Sequence, residues 1–141
     1  MSGTDVTLPA IGATATRSRT ITEADLVIYG GLTGDQNPVH MDAEYAAKTP
    51  FRGRIAHGLL TAGLVSAILG TQLPGLGTVY LSQSLRFLAP VRIGDTITAE
   101  VAVTAVRAEK RIVTLRTSCR NQHGETVLAG EAVVLVQPTP A

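Results

Sequence analysis

An acid and an imidazole stand five residues apart in Gly34-Asp35-Gln36-Asn37-Pro38-Val39-His40. Carboxyl and imidazole are the side chains best suited to giving a substrate one proton and taking another from it. A straight helix does not bring residues i and i+5 to one face. A turn does, and the residues between the two supply one. Pro38 fixes its own φ and biases Asn37 away from helical backbone. Plain turn chemistry accounts for part of the same pattern, because Asp and Asn side chains bond their own backbone in such segments. His40 also fits as a group packed beside the next helix. The spacing alone therefore leaves an acid–base pair and a metal site both open.

The remaining chemistry-bearing residues narrow the field. A metal site would draw on His40, His57, Asp35 or Asp42, yet no two of these have a familiar ligand spacing on one element. Ser66 stands in no Gly-x-Ser-x-Gly elbow. Neither a Walker pattern nor Gly-x-Gly-x-x-Gly after a strand occurs, so no nucleotide phosphate loop is expected. Cys119, the one cysteine, falls inside an expected strand and reads as a small core residue. It cannot form an internal disulfide, which agrees with a reducing cytoplasm. No signal peptide is visible at the N-terminus.

The elements that must position Asp35 and His40 follow from the pattern around them. Residues 1–12 read as a loose arm, 13–136 as one domain and 137–141 as a tail. Residues 13–20 suit an edge strand. Thr22, with Asp25 three positions on, reads as a helix start. Leu26, Tyr29 and Leu32 form its apolar stripe, and Gly30, Gly31 and Gly34 weaken and stop it. A second short helix is expected over 42–48, then an irregular loop over 50–57. Residues 58–70 form a central helix that is apolar around nearly its whole circumference, which predicts enclosure. That segment is too short to span a bilayer. Beyond Gly77 the texture turns to strands: 78–88, 97–106, 111–120 and 126–136. Ala99, Val101, Val103 and Ala105 should share one face, as should Val113, Leu115, Thr117 and Cys119. Short turns between long strands imply antiparallel pairing, and the result is an α+β arrangement with a sheet curling around one helix.

Composition bounds the partners. The chain has 141 residues, 45% of them hydrophobic, and a net charge of +1. One domain of this size buries a sizeable core. Its charge supplies no field for nucleic acid or anionic lipid, and its basic residues form no run.

The 34–40 segment, with Ala46 six residues on, resembles the signature of the (R)-specific enoyl-CoA hydratases, the hydratase 2 or MaoC-like family with a hot-dog fold. The likeness continues through Ile55-Ala56-His57-Gly58-Leu59-Leu60, the small-residue helix to Gly70, Gln72-Leu73-Pro74-Gly75 and Tyr80-Leu81-Ser82-Gln83-Ser84-Leu85-Arg86-Phe87. Its last motifs are Pro90-Val91 and Gly94-Asp95, and the resemblance as a whole covers about residues 20–136. Within the family it resembles the short bacterial members that feed polyhydroxyalkanoate synthesis. The resemblance implies that Asp35 and His40 together hold a water and add it across the C2–C3 bond of a trans-2-enoyl thioester. Gly58 would offer its amide to the thioester oxygen, Asn37 would hold the turn or position the catalytic groups, Ser66 would line the site, and His57, beside Gly58, would cap or orient that loop. It implies no metal or redox cofactor, coenzyme A being part of the substrate, and a homodimer with no membrane or nucleic-acid partner. Arg52, Arg54, Arg86 and Arg92 are the cations available for coenzyme A phosphates. Two other expectations fit the same residues: a dehydratase of another 3-hydroxyacyl thioester, and a non-catalytic acyl-CoA-binding module.

Overall fold

Thr22 starts the first helix, α1 (Glu23–Thr33), through a capping box. Its hydroxyl accepts from the Asp25 amide, and the Asp25 carboxylate accepts from the Thr22 amide. Gly34 ends the helix at φ 82°, a left-handed conformation open to glycine without strain. Of the expected stripe, Leu26 is buried and Tyr29 half-buried, whereas Leu32 is 82% exposed.

Two short helices follow, α2 (Pro38–Met41) and α3 (Ala43–Ala47). The turn expected from Asp35 to His40 therefore ends in helix, with His40 on α2. Pro38 at the first helical position is pre-organised for that turn, and the Asn37 side chain caps it by accepting from the Val39 amide at 3.1 Å. Asp42 caps α3 in the same way, accepting from the Tyr45 amide.

The computed structural model describes residues 7–138 and residue 140. Its sheet contains β1 (Thr14–Thr20), β2 (Thr78–Gln83), β3 (Arg86–Phe87), β4 (Thr96–Arg107), β5 (Ile112–Arg120) and β6 (Thr126–Val136). The order is β1-β4-β5-β6-β2, with β3 also paired to β6, and every pairing is antiparallel. The central helix α4 (Gly58–Thr71) lies against β4 and β5 and touches both edge strands, β1 and β2. Leu64, Val65, Ile68 and Leu69 of α4 meet Val101, Val113, Leu115 and Leu128 of the sheet in one core. This is the sheet-around-helix arrangement that the strand pattern predicts.

Three expectations change. The strand expected over 78–88 is broken into β2 and β3. Between them the Ser84 backbone crosses Gly130 so closely that a Cβ there would lie 1.8 Å from the Ser84 carbonyl oxygen. On β4 Ala99, Val101 and Val103 are buried as expected, with Ala102 buried beside them. A bulge then turns Ala105 outward and leaves Val106 half-buried. The four β5 residues expected to face the core are all buried. Helix α4 is not enclosed all round: Leu59 is 58% exposed, and Gly63, Ser66 and Gly70 are also exposed. Its small residues line an open face of this chain.

Of the arm expected over 1–12, residues 1–6 lie outside the described residues. Leu8 rests against the core, and the Gly12 amide donates to the Val103 carbonyl at 2.9 Å. Among the described residues no helix is long and apolar enough to cross a membrane.

Candidate active site

Three short elements place Asp35, His40 and His57 side by side. The Asp35 carboxylate sits in the loop after α1 and accepts from the Asn37 amide at 3.3 Å. His40, on α2, faces the loop that leads into α4 and bonds the Ile55 carbonyl through Nδ1 at 2.7 Å. His57 ends that loop as the N-cap of α4 and bonds the Asp35 carbonyl through Nε2 at 3.0 Å. The two imidazoles stack at 3.9 Å between centroids, and the Tyr29 ring closes on His57 at 4.6 Å. One carboxylate oxygen and one nitrogen from each histidine all lie within 4.8 Å of one another. A single water can bridge polar atoms at that separation.

The backbone partners fix the tautomers. A carbonyl oxygen only accepts, so His40 Nδ1 and His57 Nε2 each carry a hydrogen. Neutral His40 then keeps its lone pair on Nε2, free to take a proton. Burial holds His57 below its ordinary 6.5; its bond to Asp35 opposes that shift and the nearby His40 adds to it. His57 is thus a neutral, 2%-exposed ring beneath an exposed Asp35 and a half-buried His40.

These groups line one cavity of about 500 Å³ with Gly58, Phe87, Leu88 and Val127. A narrow group of polar atoms in a largely apolar wall is what a small-molecule site requires. Gly58 opens α4. The first amides of a helix have no intrahelical acceptor, and the His57 side chain does not cap them. These amides and the helix dipole favour negative charge at this point. A Cβ on Gly58 would lie 2.5 Å from the Phe87 ring, so only glycine admits that ring against the backbone.

Arg54 locks the arrangement from behind. Its Nε donates to the His40 carbonyl at 2.6 Å, and its guanidinium pairs with Glu23 at 2.8 Å. That commits Arg54 to tying α2 to α1 and takes it out of the set available for phosphates. Asn37 holds the turn as expected. Ser66 is exposed on the open face of α4 and is not among the residues lining the cavity. The same three groups also stand close enough to share a cation, one ligand atom from each within 4.8 Å. A histidine whose other nitrogen is held by a backbone carbonyl, as in both rings here, is as compatible with a metal ligand as with an acid–base pair.

Sequence reasoning missed Tyr29, Thr61 and Phe87 as cavity residues. Tyr29 looked like core because it shares a stripe with Leu26. Phe87 reaches Gly58 through the β3–β6 pairing, for which no local spacing gives a signal.

With this geometry in place, comparison with known proteins identifies the family. The model of the MaoC like domain matches residues 8–123. The chain belongs to the MaoC-like domain family. It is 52% identical over 125 residues to an (R)-specific enoyl-CoA hydratase of Rhodospirillum rubrum, covering 89% of this chain and 86% of that protein. It is 49% identical over 126 residues to a 3-hydroxybutyryl-CoA dehydratase of Methylorubrum extorquens, covering 89% and 80%. The solved structure of an (R)-hydratase from A. caviae involved in PHA biosynthesis superposes with a TM-score of 0.89 at 45% identity, covering 92% of this chain and 98% of that one. The fold is the hot-dog fold.

Proposed function

We propose that this chain is a hydro-lyase that reversibly hydrates trans-2-enoyl-CoA to (R)-3-hydroxyacyl-CoA. The observation that carries the reading is the convergence of Asp35 and His40 within one water's reach, in a cavity that also holds the start of α4. Asp35 and His40 hold the attacking water between them. One group takes a proton from it as oxygen bonds to C3, and the pair delivers a proton to C2. The roles belong to the pair, because both side chains reach the same water. As water attacks, charge moves onto the thioester oxygen. The Gly58 amide, fixed at the helix start, donates to that oxygen and stabilises the enolate-like state. The thioester already polarises the alkene, so the reaction needs no metal or redox cofactor.

The chain acts as a homodimer in this reading. Two surfaces support that: the open small-residue face of α4 and the outer edge of β2, where Val79, Tyr80 and Leu81 are exposed. The opposite edge, β1, carries Arg17 and Arg19 and is blunted against pairing. A helix apolar all round requires a cover, and a second copy supplies it. Ser66 lies on that face, so its place beside the substrate belongs to the assembled pair. A cytoplasmic location agrees with the single unpaired, buried thiol of Cys119.

The direct test is incubation with crotonyl-CoA, following the loss of conjugated-thioester absorbance and the configuration of the product. The expected result is hydration to the (R) product. Binding of the thioester without turnover would replace this reading with a non-catalytic acyl-CoA-binding module.

A further inference from the structure

Two buried polar atoms at the start of α4 have no partner among the described residues: Nδ1 of His57 and the hydroxyl of Thr61. Each residue is only 2% exposed. The other two threonines in long helices behave differently. Thr33 donates to the Tyr29 carbonyl at 2.8 Å and Thr71 to the Ala67 carbonyl at 2.6 Å, each to the residue four positions before it. For Thr61 that carbonyl belongs to His57, and it already accepts from the Leu60 and Thr61 amides. The Thr61 hydroxyl is thus withheld from its own helix, and leaving a buried hydroxyl unbonded is costly.

The two atoms are chemically complementary. His57 Nε2 carries the hydrogen that holds the Asp35 carbonyl, and the buried ring is neutral, so Nδ1 is a bare lone pair. A threonine hydroxyl is a donor. Thr61 stands one helical turn after the N-cap His57, and helical side chains lean toward the N-terminus, which turns the Thr61 hydroxyl toward that end of α4. Threonine in a helix has two accessible χ1 wells, so its hydroxyl can swing toward the ring.

We propose that Thr61 is a positioning residue: its hydroxyl donates to His57 Nδ1 and locks the tautomer whose Nε2–H holds the Asp35 carbonyl. The link then runs from Thr61 through the His57 ring to the backbone of the acid. The same ring is the surface on which His40 stacks. One hydroxyl thereby sets the orientation beneath both reacting side chains without touching the reacting atoms.

The test is ¹⁵N spectroscopy of the imidazoles in the full chain, for the wild type, Thr61→Val and Thr61→Ser, with steady-state kinetics on crotonyl-CoA. In the wild type, His57 should show the Nε2–H tautomer with Nδ1 shifted upfield of a free acceptor. Thr61→Val should move Nδ1 downfield to the free position and lower kcat about tenfold, with KM unchanged. Thr61→Ser should restore both. A wild-type Nδ1 already at the free position overturns the proposal, as does a Thr61→Val chain with Nδ1 and kcat unaltered. Should Thr61→Val fail to fold, the wild-type and Thr61→Ser spectra decide. The kinetic part rests on the hydratase reading; the spectra do not, so the two can fail separately.

Discussion

At the scale of residues, the proposed site divides into the two groups assigned to react and the groups that hold them. Asp35 and His40 were legible in the sequence because their chemistry and the turn between them are local. Tyr29, Thr61 and Phe87 were not, because their roles arise from contacts across the fold. His57 lies between these cases: its place beside Gly58 could be read, its burial could not. That burial has a consequence for pH. The folded ring has its pKa held below the ordinary 6.5, so between the two values the unfolded chain binds a proton that the folded chain does not. This contribution to stability is full above about 6.5 and is lost as pH falls through the folded value. Thermal melts should show a falling midpoint on acidification below about 6.5, with a shallower slope in His57→Gln; identical slopes would rule His57 out as the cause. Gly58→Ala addresses the other side of the site. Its methyl group meets the Phe87 ring, which is 56% exposed and free to swing away. The melting temperature should hardly move, while kcat/KM falls on the order of 100-fold because the thioester is displaced.

At the scale of elements, alternation found β5 and most of β4, and an apolar run found α4. Pattern failed where backbone crowding overrides it. The run over 78–88 has strand composition throughout, yet the crossing of Ser84 over Gly130 divides it. The bulge after Val103 inverts the end of β4 for a similar reason: one extra residue in the ladder exchanges the two faces. The apolar circumference of α4 was read as needing cover, and one chain supplies only part of it. The edge strand β2 makes the remedy testable. Leu81→Lys places a charge on an exposed apolar strand, where charge opposes edge-to-edge pairing. Sedimentation velocity should show a dimer for the wild type and a monomer for this variant; a monomeric wild type would remove the dimer from the account.

At the scale of the whole molecule, one core joins α4 to the full width of the sheet and carries the site at one end of the helix. Cys119 reports on that core. It is fully buried, and burial pushes its thiol up to about 12. An aromatic disulfide reagent should label it only as fast as the domain opens globally, so labelling and unfolding should share one denaturant dependence. Rapid labelling in native buffer would mean that the sheet opens locally. The family, the fold and the cavity all concern where the substrate is held; the proposed chemistry depends on a carboxylate and an imidazole sharing one water. The most direct measurement of that is the turnover of Asp35→Asn on crotonyl-CoA beside the wild type. Asparagine keeps the size of the side chain and removes its ability to exchange a proton. The account predicts a fall in kcat of at least about 100-fold with an unchanged melting temperature. A variant that turns over at the wild-type rate would contradict it.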